Sequence, residues 1–185
     1  MNFYTHCDLC EHEKTSLKIG VTCTLTKRKP DFKNTCTTIK LDQKFQEKLE
    51  IAYLELEEIR SHKKSAYLFF CLLMIIGVTI LIKSDYLAGP IYDDTYFWVH
   101  KTGIIALGIS ILTGTNFQLY RFRKKLKDAQ QKKDKIDVVI EKYGISYKPE
   151  LDFKEKVHGT QQVDVKLEFK NWTRKNTITT YEIDD

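Results

Sequence analysis

Eighteen residues from Ser65 to Ile82, SAYLFFCLLMIIGVTILI, carry no charge. At about 1.5 Å per residue, a helix of that length covers ~27 Å, close to the ~30 Å hydrocarbon thickness of a bilayer. Arg60, Lys63 and Lys64 stand before the run and Lys83 follows it. A soluble domain spreads its apolar residues over every element that feeds the core. Here they concentrate between positions 65 and 120, with polar flanks on either side. The run therefore predicts a transmembrane helix over 65–83.

A second span is predicted over 96–120, YFWVHKTGIIALGISILTGTNFQLY. It is more polar, with Lys101 near its start and Thr102, Ser110, Thr113, Thr115, Asn116 and Gln118 along it. Tyr96, Trp98 and Tyr120 stand at its edges, where interfacial aromatics belong. Residues 84–95 hold Gly89-Pro90 and the acids Asp85, Asp93 and Asp94, which makes them the bend of a helical hairpin. Residues 84–100 contain no Lys or Arg, whereas RFRKKLK follows the second span. The positive-inside rule then places the bend outside and both termini in the cytoplasm of a cell whose inner membrane holds the hairpin. The start, MNFYTHCDLCEHEK, has no apolar h-region, so no secretory leader is expected.

Helical periodicity continues beyond both spans. Upstream, over 41–64, Phe45, Leu49, Ala52, Leu56 and Ile59 are spaced 4, 3, 4 and 3, a heptad seam. Glu47, Glu50, Glu55, Glu57 and Glu58 are expected on the faces away from it. Downstream, over 121–144, Phe122, Leu126, Ala129, Lys133, Ile136, Ile140 and Tyr143 repeat the spacing, broken once by Lys133, with Gly144 as a helix stop. The upstream helix is acidic and the downstream one starts basic, so two antiparallel helices would pair these charges. A coiled-coil-like cytoplasmic stalk is predicted.

Four of the five cysteines lie within the first 36 residues. An odd total with a C-x2-C pair points away from a secreted disulfide framework and towards metal in a reducing compartment. Cys7, Cys10, Cys23 and Cys36 would complete a tetrahedral sulfur site with Zn2+ in a structural role, leaving no open position for substrate. His6 or His12 could replace one of them; an iron–sulfur site and metal-free cysteines are the other readings. VTCTLT alternates as a strand does, so residues 1–40 read as a small zinc-ribbon-like β head. In the C-terminal segment, 145–185, VDVKLEF alternates cleanly, NWTRKN suits a turn and TITTYEI can return, which predicts a β-hairpin before an acidic tail.

The expected fold class is thus a mainly α membrane protein: a two-span transmembrane helical hairpin, extended by the stalk, with a β head and a β-hairpin. No Gly-rich phosphate loop, Gly-x-Ser-x-Gly or His-Glu-x-x-His occurs, and the five histidines form no recognisable set, so no enzyme is expected. Thr102, Ala106, Ile109, Thr113, Asn116 and Tyr120 share one stripe of the second span and should face other helices or a central conduit. Arg121 to Lys135 carries eight Lys/Arg against two Asp, a basic row suited to lipid headgroups or to a polyanion such as nucleic acid. Broken seams and a polar stripe fit several subunits better than a tight dimer, and a tetramer is the expectation. One functional reading is an oligomeric membrane effector that forms an ion channel gated by its cytoplasmic region. Another is a non-conducting membrane scaffold whose zinc-binding head recruits a protein partner, and a third is a tethered nucleic-acid-binding zinc protein.

The size, the CDLC start, the paired spans and the basic stalk together resemble the small two-span effectors of bacterial anti-phage defence, the Hailong membrane effectors above all. The resemblance covers the architecture of the whole chain and transfers no functional residue. It implies a multimeric ion channel kept shut by single-stranded DNA (ssDNA) from a partner nucleotidyltransferase, whose opening during infection depolarises the cell. On that reading the DNA contacts fall among Arg121, Arg123, Lys124, Lys125, Lys127, Lys132, Lys133 and Lys135, or on the head.

Overall fold

The computed structural model describes residues 3–17, 19–32, 34–88, 94–154, 160–172 and 178–184. The fold is mostly helical, with two small sheets. Its elements are α1 (Phe3–Asp8), β1 (Glu13–Ser16), β2 (Gly20–Cys23), α2 (Gln43–Ser61), α3 (Lys63–Ile82), α4 (Ser84–Ala88), α5 (Asp94–Lys142), β3 (Ser146–Phe153), β4 (Thr160–Lys170) and β5 (Ile178–Asp184). They form two compact units, residues 1–57 with 129–185, and residues 58–128.

The first unit is an α/β body with one core. Phe45, Leu49 and Ala52 of α2 and Ile136, Val139 and Ile140 of α5 share it with Leu9, Ile145 and the β4 residues Val163, Val165 and Leu167. The heptad spacings are therefore real faces, but they do not form a bare stalk, because a sheet covers them. That sheet corrects the expected two-stranded hairpin: it is a three-stranded antiparallel meander in the order β3-β4-β5. The additional strand carries Pro149, opposite Leu167. Proline cannot donate to a ladder, and β3 lies at the sheet edge, where no donor is needed on one side. After β4, Asn171 takes the left-handed region (φ 63), which asparagine tolerates; the rest of the expected NWTRKN turn, 173–177, lies outside the described residues.

Local chemistry fixes the ends of the helices. The Lys44 N–H at the start of α2 donates to Glu11 Oε1 at 2.9 Å, so a head residue satisfies one of the orphan donors of that helix. Lys48 pairs with Asp8 at 2.5 Å, and Lys44 with Glu13. At the other end Gly144 (φ +68) stops α5, and the Ile145 N–H returns to the Ile140 carbonyl at 3.2 Å. This is the left-handed terminator expected from the sequence.

Two polar residues depart from expectation. Glu50 is buried, 2% exposed, rather than on a solvated face. It accepts hydrogen bonds from Gln46 Nε2 at 2.6 Å and Tyr181 Oη at 2.9 Å. Sheet packing widens the covered face of α2 beyond the heptad seam, and β5 supplies the partner. Burial and the neighbouring carboxylate hold the Tyr181 phenol well above its ordinary range, so it remains a donor. Lys133, the break in the second seam, places its ammonium 5.8 Å from the ring centroids of both Tyr53 and Tyr147. Asp137 pairs with it at 2.6 Å and accepts from Tyr147 Oη at 2.7 Å. Lys132 and Glu55 make the expected charge pair between the acidic and basic helices at 2.8 Å.

The second unit is built from α3, α4 and the first part of α5. Tyr67 meets Arg123, Met74 meets Asn116 and Asp85 meets Lys101, so α3 and α5 run antiparallel. Glycines allow close approach: a Cβ at Gly108 would lie 2.7 Å from Leu81 Cδ2 and 3.4 Å from the Gly77 carbonyl oxygen. Thr115 and Leu119 are buried in the same unit. Large apolar side chains are bare on the remaining surface, among them Leu68, Ile75, Leu107 and Phe117. In each of the helical stretches Gln43–Ile82 and Tyr96–Lys142, long and apolar enough to cross a membrane, only 6% of the apolar window is buried within the chain. Gly89-Pro90 and Asp93 of the expected bend lie outside the described residues.

Candidate functional site

The four head cysteines border one cavity. Cys7 follows α1's first turn, Cys10 begins the turn into β1, Cys23 ends β2 and Cys36 lies in the loop before α2. Together with His6, His12, Arg28 and Phe32 they line one cavity of about 510 Å³. The backbone closes local turns at each end, with Cys10 N–H donating to the Cys7 carbonyl at 2.9 Å and Lys27 N–H to the Cys23 carbonyl at 2.8 Å. Among the described residues no three His, Cys, Asp or Glu side chains, as they stand, converge closely enough to hold a metal ion.

The electrostatics of the cavity are those of clustered thiols. Burial pushes the Cys7 thiol up to about 11, and the negative charge that Cys10, Cys36, Cys23 and Glu13 can carry adds to it. At Cys23 burial also acts upward, but hydrogen bonds from the Thr26 and Leu25 backbone N–H groups and the Thr26 hydroxyl outweigh it, and the thiol lies below its ordinary value. The Cys10 sulfur receives the His12 N–H at 3.5 Å and the Lys40 N–H at 3.4 Å.

A residue that the sequence presented only as the end of a seam ties this cavity to α5. Tyr143 Oη accepts the Cys36 N–H at 2.9 Å and lies 3.0 Å from His6 Nδ1. His6 is buried, 3% exposed, with edge contacts to the Phe32 and Tyr143 rings. Burial, then the charge of Lys142, lowers its pKa, which favours neutral imidazole, so Nδ1 can accept a hydrogen bond from the Tyr143 hydroxyl. The tyrosine acidity is itself suppressed by burial, against the Cys36 N–H, with the nearby cysteine charges reinforcing the rise. Nothing in the spacing of Tyr143 foretold this, because its partners lie 107 and 137 residues away.

The stripe residues of the second unit, Thr102, Ala106, Ile109, Thr113, Asn116 and Tyr120, are all exposed. They lie about 100° round the helix from Gly108, Leu112, Thr115 and Leu119. Their polar groups turn back on the helix: Thr102 donates to the Trp98 carbonyl at 2.8 Å, Thr113 to Ile109 at 3.0 Å and Asn116 to Leu112 at 2.8 Å. Ser110 and Thr115 do the same. Lys101 is neutralised by Asp85 at 2.5 Å and sits 5.4 Å from the Trp98 ring centroid.

The basic row divides by environment. Arg121 lies over Phe117 at 5.7 Å, and Arg123 over Tyr67 at 5.6 Å with Nε donating to Tyr67 Oη at 3.2 Å. Lys124, Lys125 and Lys127 are exposed and make no ion pair among the described residues. Of the row's members in the first unit, Lys132 and Lys133 are paired as described above and Lys135 is exposed. Comparison with protein-family models, with curated proteins and with solved structures finds no match to this chain.

Proposed function

We propose that this chain is an integral membrane protein whose copies associate through α5 and conduct ions under the control of the cysteine-bearing soluble unit, as an effector of bacterial anti-phage defence. The observation that carries the membrane reading is the bare apolar surface of α3 and α5, of which the chain itself buries only 6% in either apolar window. In water such a surface is an aggregation site; in lipid it is at home. Lys101 and Arg123, each engaged with an aromatic ring and a polar partner, suit the two interfaces. The arginines and lysines from Arg121 to Lys127, with Arg60, Lys63 and Lys64, face the cytoplasm by the positive-inside rule.

The stripe supports association. A transmembrane face with Ala106, Ser110 and Gly114 at four-residue spacing permits close helix approach, and Thr102, Thr113 and Asn116 offer polar groups to neighbours or to water. Four copies remain the expected assembly. The gating ligand is a polyanion that reads Lys124, Lys125 and Lys127, with ssDNA from a partner nucleotidyltransferase as the species suggested by the resemblance to Hailong effectors. One observation favours the non-conducting scaffold instead: hydroxyls bonded to their own helix need no water, so the stripe also suits a dry packing seam.

The test is purification in detergent, a subunit count by light scattering, and ion flux in liposomes with and without ssDNA oligonucleotides. The expected result is an oligomer whose flux falls when oligonucleotide is added. Changing Lys124, Lys125 and Lys127 together to Gln should abolish that fall and reduce the log–log salt slope of binding by about 2, at ~0.7 per lost phosphate contact on a single strand. An oligomer without flux would favour the scaffold, and a monomer without flux would overturn both association and conduction.

A further inference from the structure

We infer that Cys7, Cys10, Cys23 and Cys36 form a structural tetrathiolate site for one zinc ion, and that this site fastens the head to the last turn of α5 through Tyr143. The inference concerns the soluble unit alone and does not rest on the membrane reading.

The first argument is what holds the head together. From Glu11 to Lys40 no described residue is buried, and Leu17, Ile19 and Leu25 are exposed. Yet the segment contains a two-stranded sheet with a defined register, Glu13 opposite Cys23 and Ser16 opposite Gly20. A hairpin of four-residue strands with no buried apolar residue is marginal in water. A metal ion supplies folding free energy where an apolar core cannot.

The second argument is the chemistry around the sulfurs. All four line the same cavity. Backbone N–H groups of His12 and Lys40 aim at the Cys10 sulfur, at 3.5 and 3.4 Å. A set of thiolates this close repels itself, and a dication reverses the sign of that interaction. The sulfurs do not meet at ligating distance as they stand, but each Sγ turns about a single torsion with three staggered positions. On binding, each thiol gives its proton to solvent as its sulfur–metal bond forms, and no electron moves. Four soft sulfur ligands in a closed tetrahedron select zinc over the hard divalent ions and leave no place for a substrate. His6, held at Nδ1 by Tyr143, and His12 also border the cavity, but four sulfurs already complete the tetrahedron without them.

The third argument is the link outward. Cys36 is tied by its N–H to Tyr143, one residue beyond α5, and His6, next to Cys7, bonds the same hydroxyl. Holding the sulfurs together therefore holds both partners of Tyr143.

The full chain purified in detergent under reducing conditions should carry about one zinc per chain by elemental analysis. After exchange to cobalt it should show thiolate-to-cobalt charge transfer and intense tetrahedral d–d bands. Cys23→Ser or Cys36→Ser should weaken those bands, while His12→Ala should leave them unchanged. Tyr143→Phe should leave the spectrum in place and speed release of the metal to a chelator by about tenfold, in line with other supporting hydrogen bonds at metal sites. Stripping the metal should raise amide exchange in the Val139–Lys142 turn. Wild-type chain without metal or charge-transfer band overturns the site, as does iron in place of zinc, or loss of the bands in His12→Ala. An unchanged release rate in Tyr143→Phe, with no change in exchange on stripping, overturns the fastening.

Discussion

Phe45→Ala is expected to lower the stability of the first unit by about 3–5 kcal/mol, a large share of the 5–15 kcal/mol typical of a whole domain. Phe45 is fully buried. Its ring makes an edge contact with Trp172 at 5.3 Å between centroids and a tilted one with Phe169 at 6.0 Å. Those two rings are themselves 4.4 Å apart, so removing Phe45 opens a void beside aromatic neighbours that constrain one another. The loss combines transfer of the ring to water with incomplete collapse of the cavity. Trp172 makes the change readable: in a Trp98→Phe background its fluorescence follows denaturant unfolding in detergent. The midpoint should fall sharply with the slope unchanged. A shift of less than about 0.5 kcal/mol, the usual size for a surface substitution, would mean that α2 and the sheet do not share a core.

A second large effect separates lipid from water. Ile51 of α2 and Ile75 of α3 are both exposed, at 46% and 67%. Ile75→Arg places a charge near the centre of the proposed first span and should cost about 2.5–3.5 kcal/mol in membrane insertion. Ile51→Arg lies on the first unit and should change stability by no more than about 0.5 kcal/mol. The Ile75→Arg protein should be depleted from the membrane fraction and degraded, whereas Ile51→Arg should accumulate as wild type. If both variants accumulate equally in soluble form, the exposed face of α3 does not meet lipid.

These two positions also mark what was legible in the sequence. The apolar run of α3 is uninterrupted, so its length and helical character could be read directly. The spacing of the two flanking seams also identified faces that the structure buries. What those faces meet was not legible. Alternation in β4 required one covered side without saying that α2 and α5 provide the cover. β3 was hidden by Pro149, which argues against a strand unless the strand is known to lie at an edge.

The polar exceptions share a cause. Glu50 was placed towards solvent by heptad logic, but its hydrogen-bond partner Tyr181 is 131 residues away. Lys133 looked like a flaw in its seam until the Asp137 carboxylate and the Tyr53 and Tyr147 rings were seen around its ammonium. Tyr143 read as an apolar seam residue and instead bonds two head residues. Periodicity reports which side of an element is covered. It carries no information about long-range polar partners, which depend on where distant elements cross.

For the cysteines the sequence supplied the four residues and their spacing, and the structure supplies the shared cavity, the N–H groups at the Cys10 sulfur and the absence of buried residues between Glu11 and Lys40 among those described. For the stripe the sequence supplied the spacing, and the structure adds that its hydroxyls bond back to their own helix. That addition lowers the cost of a dry interface and leaves ion flux as the deciding readout for the conduit.

The most direct test of the whole account is the partition of the wild-type chain itself. Membranes from cells expressing the full chain are washed with alkaline carbonate, which strips peripheral proteins, and sedimented at high speed. The account requires the chain to stay in the pellet and to enter solution only with detergent. Release into the carbonate supernatant would show that α3 and α5 do not cross the bilayer, and the membrane function built on them would fall.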